Sequence, residues 1–366
     1  MQIERQIVFW IAALVVFVGL LWLLSPILLP FVLGLVIAYA LDPLARRLKK
    51  RGINRAFAAF IILGGFLLLI VILSLLILPR LWSQAHDVIE HPEVYEQGLL
   101  DIGNKLAPYY VRLMSLLGAD SSNVDVSQAI NQAVQYFRNY LGSFFDSAFF
   151  ASLLQKGRSL ISIFSLLIIT PVVAFYLICD WDRMLEALDG LVPLSQRDTV
   201  RSLCREVDTT ISAYVRGQSG VCLILGSYYA VVLTLANLKF GLLIGLVAGL
   251  LSFIPYVGSL IALVASLGMA MVQTDPAMSW TRVVLVGVLV LVGQFAEGYV
   301  LSPKLVGHSV GLNPVWLMFA LFAFGYLFGF VGLLLAVPLA AAAGVLARFA
   351  VRRYRESLFY TGSPLS

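Results

Sequence analysis

Apolar residues fill this chain in blocks of about twenty, separated by short polar or basic punctuation, and that spacing predicts membrane-spanning helices. Blocks fall at about 7–24, 26–41, 56–79, 159–179, 219–237 and 283–302, each long enough to cross a hydrocarbon core of about 30 Å. The polar–apolar alternation of an outer-membrane barrel is absent. Ile7 to Leu24 is too long for the apolar core of a secretory signal, and no A-x-A site precedes Pro26, so a retained span is expected there. Ser25-Pro26 is expected to make a tight hairpin between the first two spans.

Two C-terminal segments do not read as single spans. Segment 240–272 carries the interruption Phe253-Ile254-Pro255-Tyr256-Val257-Gly258 at its middle. Segment 313–348, drawn as one helix, would measure about 54 Å and must break, the natural place being the glycine-rich stretch Gly325 to Gly332. The runs FGLLIGLVAGLLSFIP from Phe240 and FGYLFGFVGLLLAVP from Phe324 align with one deletion. Paired interrupted segments of this kind mark the transport site in secondary transporters, although a small apolar vocabulary also produces chance matches. Pro255, Tyr256, Gly258, Gly325, Gly329 and Pro338 are therefore the hinge candidates, with Pro303 and Pro314 bracketing a short connector. Gly241, Gly245 and Gly249 form a small-xxx-small stripe that admits close helix packing.

The punctuation adds two further elements. Residues 80–158 are longer and more polar than a loop needs to be, and are expected to form an extracytoplasmic helical insert. After Pro193, Val200, Leu203, Val207 and Ile211 recur at helical spacing opposite Arg201, Arg205, Glu206 and Asp208, which predicts a cytoplasmic amphipathic helix. The expected fold is all-α, a polytopic helical membrane protein with the insert and up to ten crossings, fewer where one or both broken hairpins are re-entrant. Its expected parts are 1–79 (three spans), 80–158 (the insert), 159–218 (the fourth span and amphipathic helix), 219–348 (a transport core with two broken hairpins) and 349–366 (a basic tail).

Composition agrees with a lipid solvent. Mean hydropathy is +0.93 and 12% of residues are charged, about half the share in soluble domains. The net charge of +5 is concentrated: Arg46, Arg47, Lys49, Lys50, Arg51 and Arg55 crowd one loop, and Arg348, Arg352, Arg353 and Arg355 crowd the C-terminus. Short Lys/Arg-rich loops stay inside, so both ends of the chain are expected in the cytoplasm. These clusters read first as topology signals, with an anionic-lipid site as the alternative; membrane lipids are expected partners and nucleic acid is not. Cys179, Cys204 and Cys222 have no metal spacing and read as free thiols. No G-x-x-x-x-G-K-[ST] loop or H-E-x-x-H is present, which argues against an ATP-driven pump and a metalloprotease, and an enzyme is not expected.

One apolar block carries an acid. Glu297 lies about 7 Å from the centre of span 283–302 toward its cytoplasmic end, with Gln294 one turn earlier on the same face. A charge at such depth normally faces protein or a wet cavity. Glu297 thus reads as a proton or cation site or a contact for solute, and alternatively as the ion-pair partner of Lys304 or a carboxylate reaching the headgroups. His308 titrates near neutrality and could relay protons, though it also fits a solvated loop. Asn313 completes this stretch. In Tyr214-Val215-Arg216-Gly217-Gln218, Arg216 could anchor at the interface or pair with Asp208 or Glu297, and Gln218 is a further polar candidate. A coupling proton or sodium ion is the sole cofactor these residues call for.

Taken in order, L-D-P-L (41–44), YVRGQ (214–218), FIPYVG (253–258), E-x-x-V-L-S-P-K-L-V-G-x-x-V-G-L-N-P (297–314) and G-x-x-G-L-L-L-A-V-P-L (329–339) resemble the autoinducer-2 exporter family of bacterial permeases. The resemblance covers nearly the whole chain. It implies an inner-membrane transporter of a small polar solute, described with about eight spans and forming homo-oligomers, plausibly pentamers. Some members export autoinducer-2, and others resemble sodium/proton or lithium/proton antiporters. Export of a small polar solute is the leading expectation, cation/proton antiport the second, and a non-transporting scaffold whose insert binds a partner the third.

Overall fold

Every described element is helical, as the block pattern requires. The computed structural model describes residues 19–91, 165–273, 279–307 and 313–357, with a few isolated positions besides. Helix α1 spans Ser25–Lys50 and α2 Arg55–Glu90. A single π-helical turn, Ser165–Ile169, leads into α3, Thr170–Gly190. Then come α4 (Arg197–Leu235), α5 (Gly241–Leu251) and α6 (Val257–Val272). Helix α7, Ser279–Ala296, runs on as a π-helical stretch, Glu297–Val306, and α8 is Pro314–Arg355. Most of the insert expected over 80–158 lies outside the described residues.

Six of these helices are long and apolar enough to cross a membrane, and α5 and α6 are shorter apolar helices. In α2 only 6% of the most apolar window is buried, so Phe57, Phe60, Leu68, Leu75 and Leu76 face outward. Water does not tolerate a contiguous apolar surface of that size, whereas lipid does. The chain is a polytopic helical membrane protein.

Three boundaries differ from the sequence pattern, each for a local reason. Ser25-Pro26 opens α1 in place of a hairpin: proline suits the first helical turn, and Leu24 before it keeps an αR backbone (φ −87°, ψ 0°) that bends the chain without reversing it. The basic loop shrinks to residues 51–54, because α1 continues through Arg47, Lys49 and Lys50, where positive charge complements the helix C-terminus. The amphipathic helix and fifth span are one helix, α4, about 58 Å long at 39 residues. Gly217 does not break it, because its lack of a side chain serves packing: a Cβ there would overlap the Leu305 carbonyl.

The chain forms two compact units. The first comprises Met1–Leu67, Ser162–Ser219 and Pro303–Ser366. Within it α1 lies close on α3, since a Cβ at Gly34 would stand 2.8 Å from Val173 Cγ1, and Ala38, Ala45, Ala59 and Ile178 form a small apolar core. Arg55 closes the end of this core: its Nε donates to the Ile178 carbonyl at 2.7 Å and its guanidinium pairs with Asp182. Helix α8 turns sharply at Gly329 (φ 60°, ψ −137°), bringing the Phe324 carbonyl against Gly332 and the Leu333 side chain against Gly325.

The second unit comprises Leu68–Ile161 and Gly220–Ser302. Here the glycine stripe of α5 meets α4 backbone to backbone: Gly245 sits against Tyr229–Ala230, and a Cβ at Gly249 would overlap the Gly226 Cα. The α5–α6 corner spans Ser252–Tyr256, with Tyr256 left-handed at φ 69°, and Gly258 leaves space for Ser252 across it. The turn before α5 carries left-handed Asn237 and Phe240. It is held by Gln273, which accepts from Lys239 N and donates to the Asn237 carbonyl, both at 2.9 Å. The two aligned runs do not share a conformation. Gly245 is interior to α5 while its counterpart Gly329 makes the turn, and Pro255 lies in a corner while Pro338 is buried inside α8.

Candidate functional site

The packing of α7 explains where its polar groups point. Val286 and Val290 are fully buried, and Gly293 lies under the Tyr229 ring, where a Cβ would approach its Cε1 to 2.5 Å. The hydroxyls of Tyr228 and Tyr229 donate to the carbonyls of Leu289 and Val290, at 2.9 and 3.4 Å. That face continues one turn on into Gln294 and Glu297, both half-buried.

Opposite them stands Ser259, in the first turn of α6. Its Oγ donates to Glu297 Oε2 at 3.2 Å, and its carbonyl accepts from Gln294 Nε2 at 3.4 Å. The α5–α6 corner places this turn: left-handed Tyr256 starts α6, so the positive end of its dipole lies on the carboxylate side. The helix carrying Glu297 changes register at that residue, from α to π. Pro303 gives a reason, since its ring would clash with the carbonyl four residues back and a wider helix relieves that contact. Stretches of π-helix are rare and concentrate at functional sites.

The other sequence candidates are placed as follows. Lys304 and Pro303 are exposed within the π stretch, and His308 lies outside the described residues. Asn313 caps α8, its side chain accepting from Val315 N at 3.0 Å, and Pro314 occupies the first turn. Arg216 is exposed, with Nη2 donating to Ser212 Oγ at 3.2 Å, while Asp208 accepts from the Tyr39 hydroxyl at 3.0 Å. Gln218 is buried. Among the described residues no three His, Cys, Asp or Glu side chains gather as a metal site.

Helices long and apolar enough to cross a membrane, two interrupted apolar segments and a carboxylate set beside one of the interruptions describe a polytopic helical membrane protein. The chain belongs to the AI-2E family of transporters, matching the family described as "AI-2E family transporter" over residues 11–352. It is 29% identical to "Putative transport protein YrrI" of Bacillus subtilis (strain 168), over 89% of this chain and 87% of that one. To "Putative permease PerM" of Escherichia coli (strain K12) it is 26% identical over 90% of each. To "AI-2 transport protein TqsA" of the same strain it is 25% identical, over 91% of this chain and 89% of the relative.

Proposed function

We propose that the protein is a secondary-active exporter of a small polar solute, with a quorum signal such as autoinducer-2 among the candidates, coupled to an ion and working by alternating access. One observation carries the reading: Glu297 sits in an apolar helix, hydrogen-bonded to Ser259 beside the α5–α6 corner and at the point where α7 becomes π-helical. An ionised acid in the middle of a span costs about 3 kcal/mol on insertion scales, a disadvantage that proton or solute binding offsets. Glu297 takes the coupling proton or the solute, Gln294 and Ser259 orient it, and the α5–α6 corner and the Gly329 turn are the moving joints. Family membership and the relative named for AI-2 transport support the substrate class. The basic end of α1 and the Arg-rich tail face the cytoplasm, the 80–158 insert faces outward, and the working form in the inner membrane is a homo-oligomer.

The test is proton flux in proteoliposomes holding the wild-type protein or Glu297→Gln, with autoinducer-2, sodium and lithium added in turn. A pH-dye response to autoinducer-2, lost in the variant, is the expected result. A response to sodium or lithium alone would reassign the protein to cation/proton antiport. An undiminished response in Glu297→Gln would remove this residue from the mechanism.

A further inference from the structure

The first unit holds a cavity of about 220 Å3 between α1, α3 and α4. At ~30 Å3 per water it has room for about seven waters, hence for a small solute. Its lining combines both signs of charge with aromatic surface. Asp42 and Arg46 come from α1, Trp181 from α3, and Asp208 and Arg216 from α4, with Tyr39 completing the wall. The Tyr39 and Trp181 rings meet edge to face, centroids 5.4 Å apart.

These charges are unequally satisfied. Asp42 is 2.5 Å from Arg46 and 3.9 Å from Arg55, so it is already neutralised. Asp208 is held by a neutral phenol, Tyr39, and Arg216 by a neutral hydroxyl, Ser212. Neither has an ion-pair partner among the described residues. One negative and one positive charge therefore face the same cavity unmatched. Their spacing follows from the helix: Arg216 reaches back one turn to Ser212, which brings its guanidinium to within about 6 Å of the level of Asp208 along the axis.

We propose that this cavity binds a compact zwitterion, its ammonium at Asp208 and the Trp181 face and its anionic group at Arg216. A simple anion would meet two carboxylates and a simple cation two guanidiniums. An uncharged polyol would leave both unmatched groups without a counter-charge. The aromatic wall adds cation–π attraction for the ammonium, and a planar guanidinium suits a carboxylate or phosphate. The zwitterion can be a free amino acid or the headgroup of a phosphatidylethanolamine, since both carry the same paired charges. The site stands independently of the coupling role proposed for Glu297.

Equilibrium binding to the full chain, in nanodiscs of phosphatidylglycerol alone, tests it with four probes: L-serine, O-phosphoethanolamine, ethanolamine and acetate. Saturable binding of a zwitterion is expected, at least tenfold tighter than ethanolamine or acetate. Arg216→Gln, at an exposed position, is expected to weaken it tenfold or more. Asp208→Asn, which keeps an acceptor for Tyr39, should do the same, and Lys304→Gln should leave it unchanged. Loss of O-phosphoethanolamine binding in nanodiscs that contain phosphatidylethanolamine identifies the headgroup as the natural occupant, and serine binding that persists there identifies a free solute. No zwitterion binding, equal binding of the single-charge probes, or binding indifferent to both cavity substitutions overturns the proposal.

Discussion

Ser259 reaches α7 with both its hydroxyl and its carbonyl, so one small residue orients an amide and an acid together. A hydrogen bond to a charged group contributes about 1.5–3 kcal/mol, on the order of tenfold or more in an equilibrium. Ser259→Ala is expected to lower solute flux in proteoliposomes by about tenfold with an unchanged melting midpoint, and Ser259→Thr to restore much of it. Flux at the wild-type level in the alanine variant would show that the hydroxyl has no part in it. Glu297 and Gln294 were legible in the sequence, because an acid and an amide one turn apart stand out in an apolar block. Ser259 was not, since hydroxyl residues recur throughout apolar helices and pairing across a corner leaves no periodic trace. Arg55 shows the same limit: it read as one more topogenic cation, yet it is 16% exposed and tied to Ile178 and Asp182. Reading alone could not separate it from its solvated neighbours.

At the scale of the element, the interruptions were more legible than the continuities. FIPYVG announced the α5–α6 corner through its proline and glycine. The Gly329 turn followed from length, since a straight 42-residue α8 would run to about 63 Å. Continuity of α4 through Gly217 was missed, because a glycine kept for close packing looks the same on paper as one kept for a turn. Gly329, with φ 60° and ψ −137°, holds a backbone that side-chain-bearing residues rarely adopt. Gly329→Ala should therefore lower stability by about 1–3 kcal/mol. Gly268, with open space at its Cβ position, is the matched control inside α6 and should accept alanine without loss. Melting midpoints in detergent decide the comparison, and equal midpoints would show that the turn is not strained by a side chain.

For the whole molecule, the distribution of charge supplies the orientation test. Cys204 is exposed on α4, within the part of the chain proposed to face the cytoplasm. In a variant with Cys179 and Cys222 replaced by serine, a membrane-impermeant maleimide should label Cys204 in inverted vesicles and leave it unlabelled in intact cells. Labelling in intact cells would invert the proposed orientation. The helical and apolar character of the chain was readable because lipid demands long apolar blocks. Side-chain partners such as Tyr39 with Asp208 were not, being 169 positions apart in the chain.

The contact of α5 with α4 has a consequence for how this protein tolerates change. Gly245 and Gly249 bring backbone against backbone, so growth of a single carbon meets main chain that no rotamer can move aside. Large aromatics such as Phe322 and Tyr326, at 80% and 90% exposure, have lipid to yield to them. Natural variation should therefore run opposite to that of a water-soluble enzyme: bulky residues drift freely among apolar types, while the smallest residues stay unchanged.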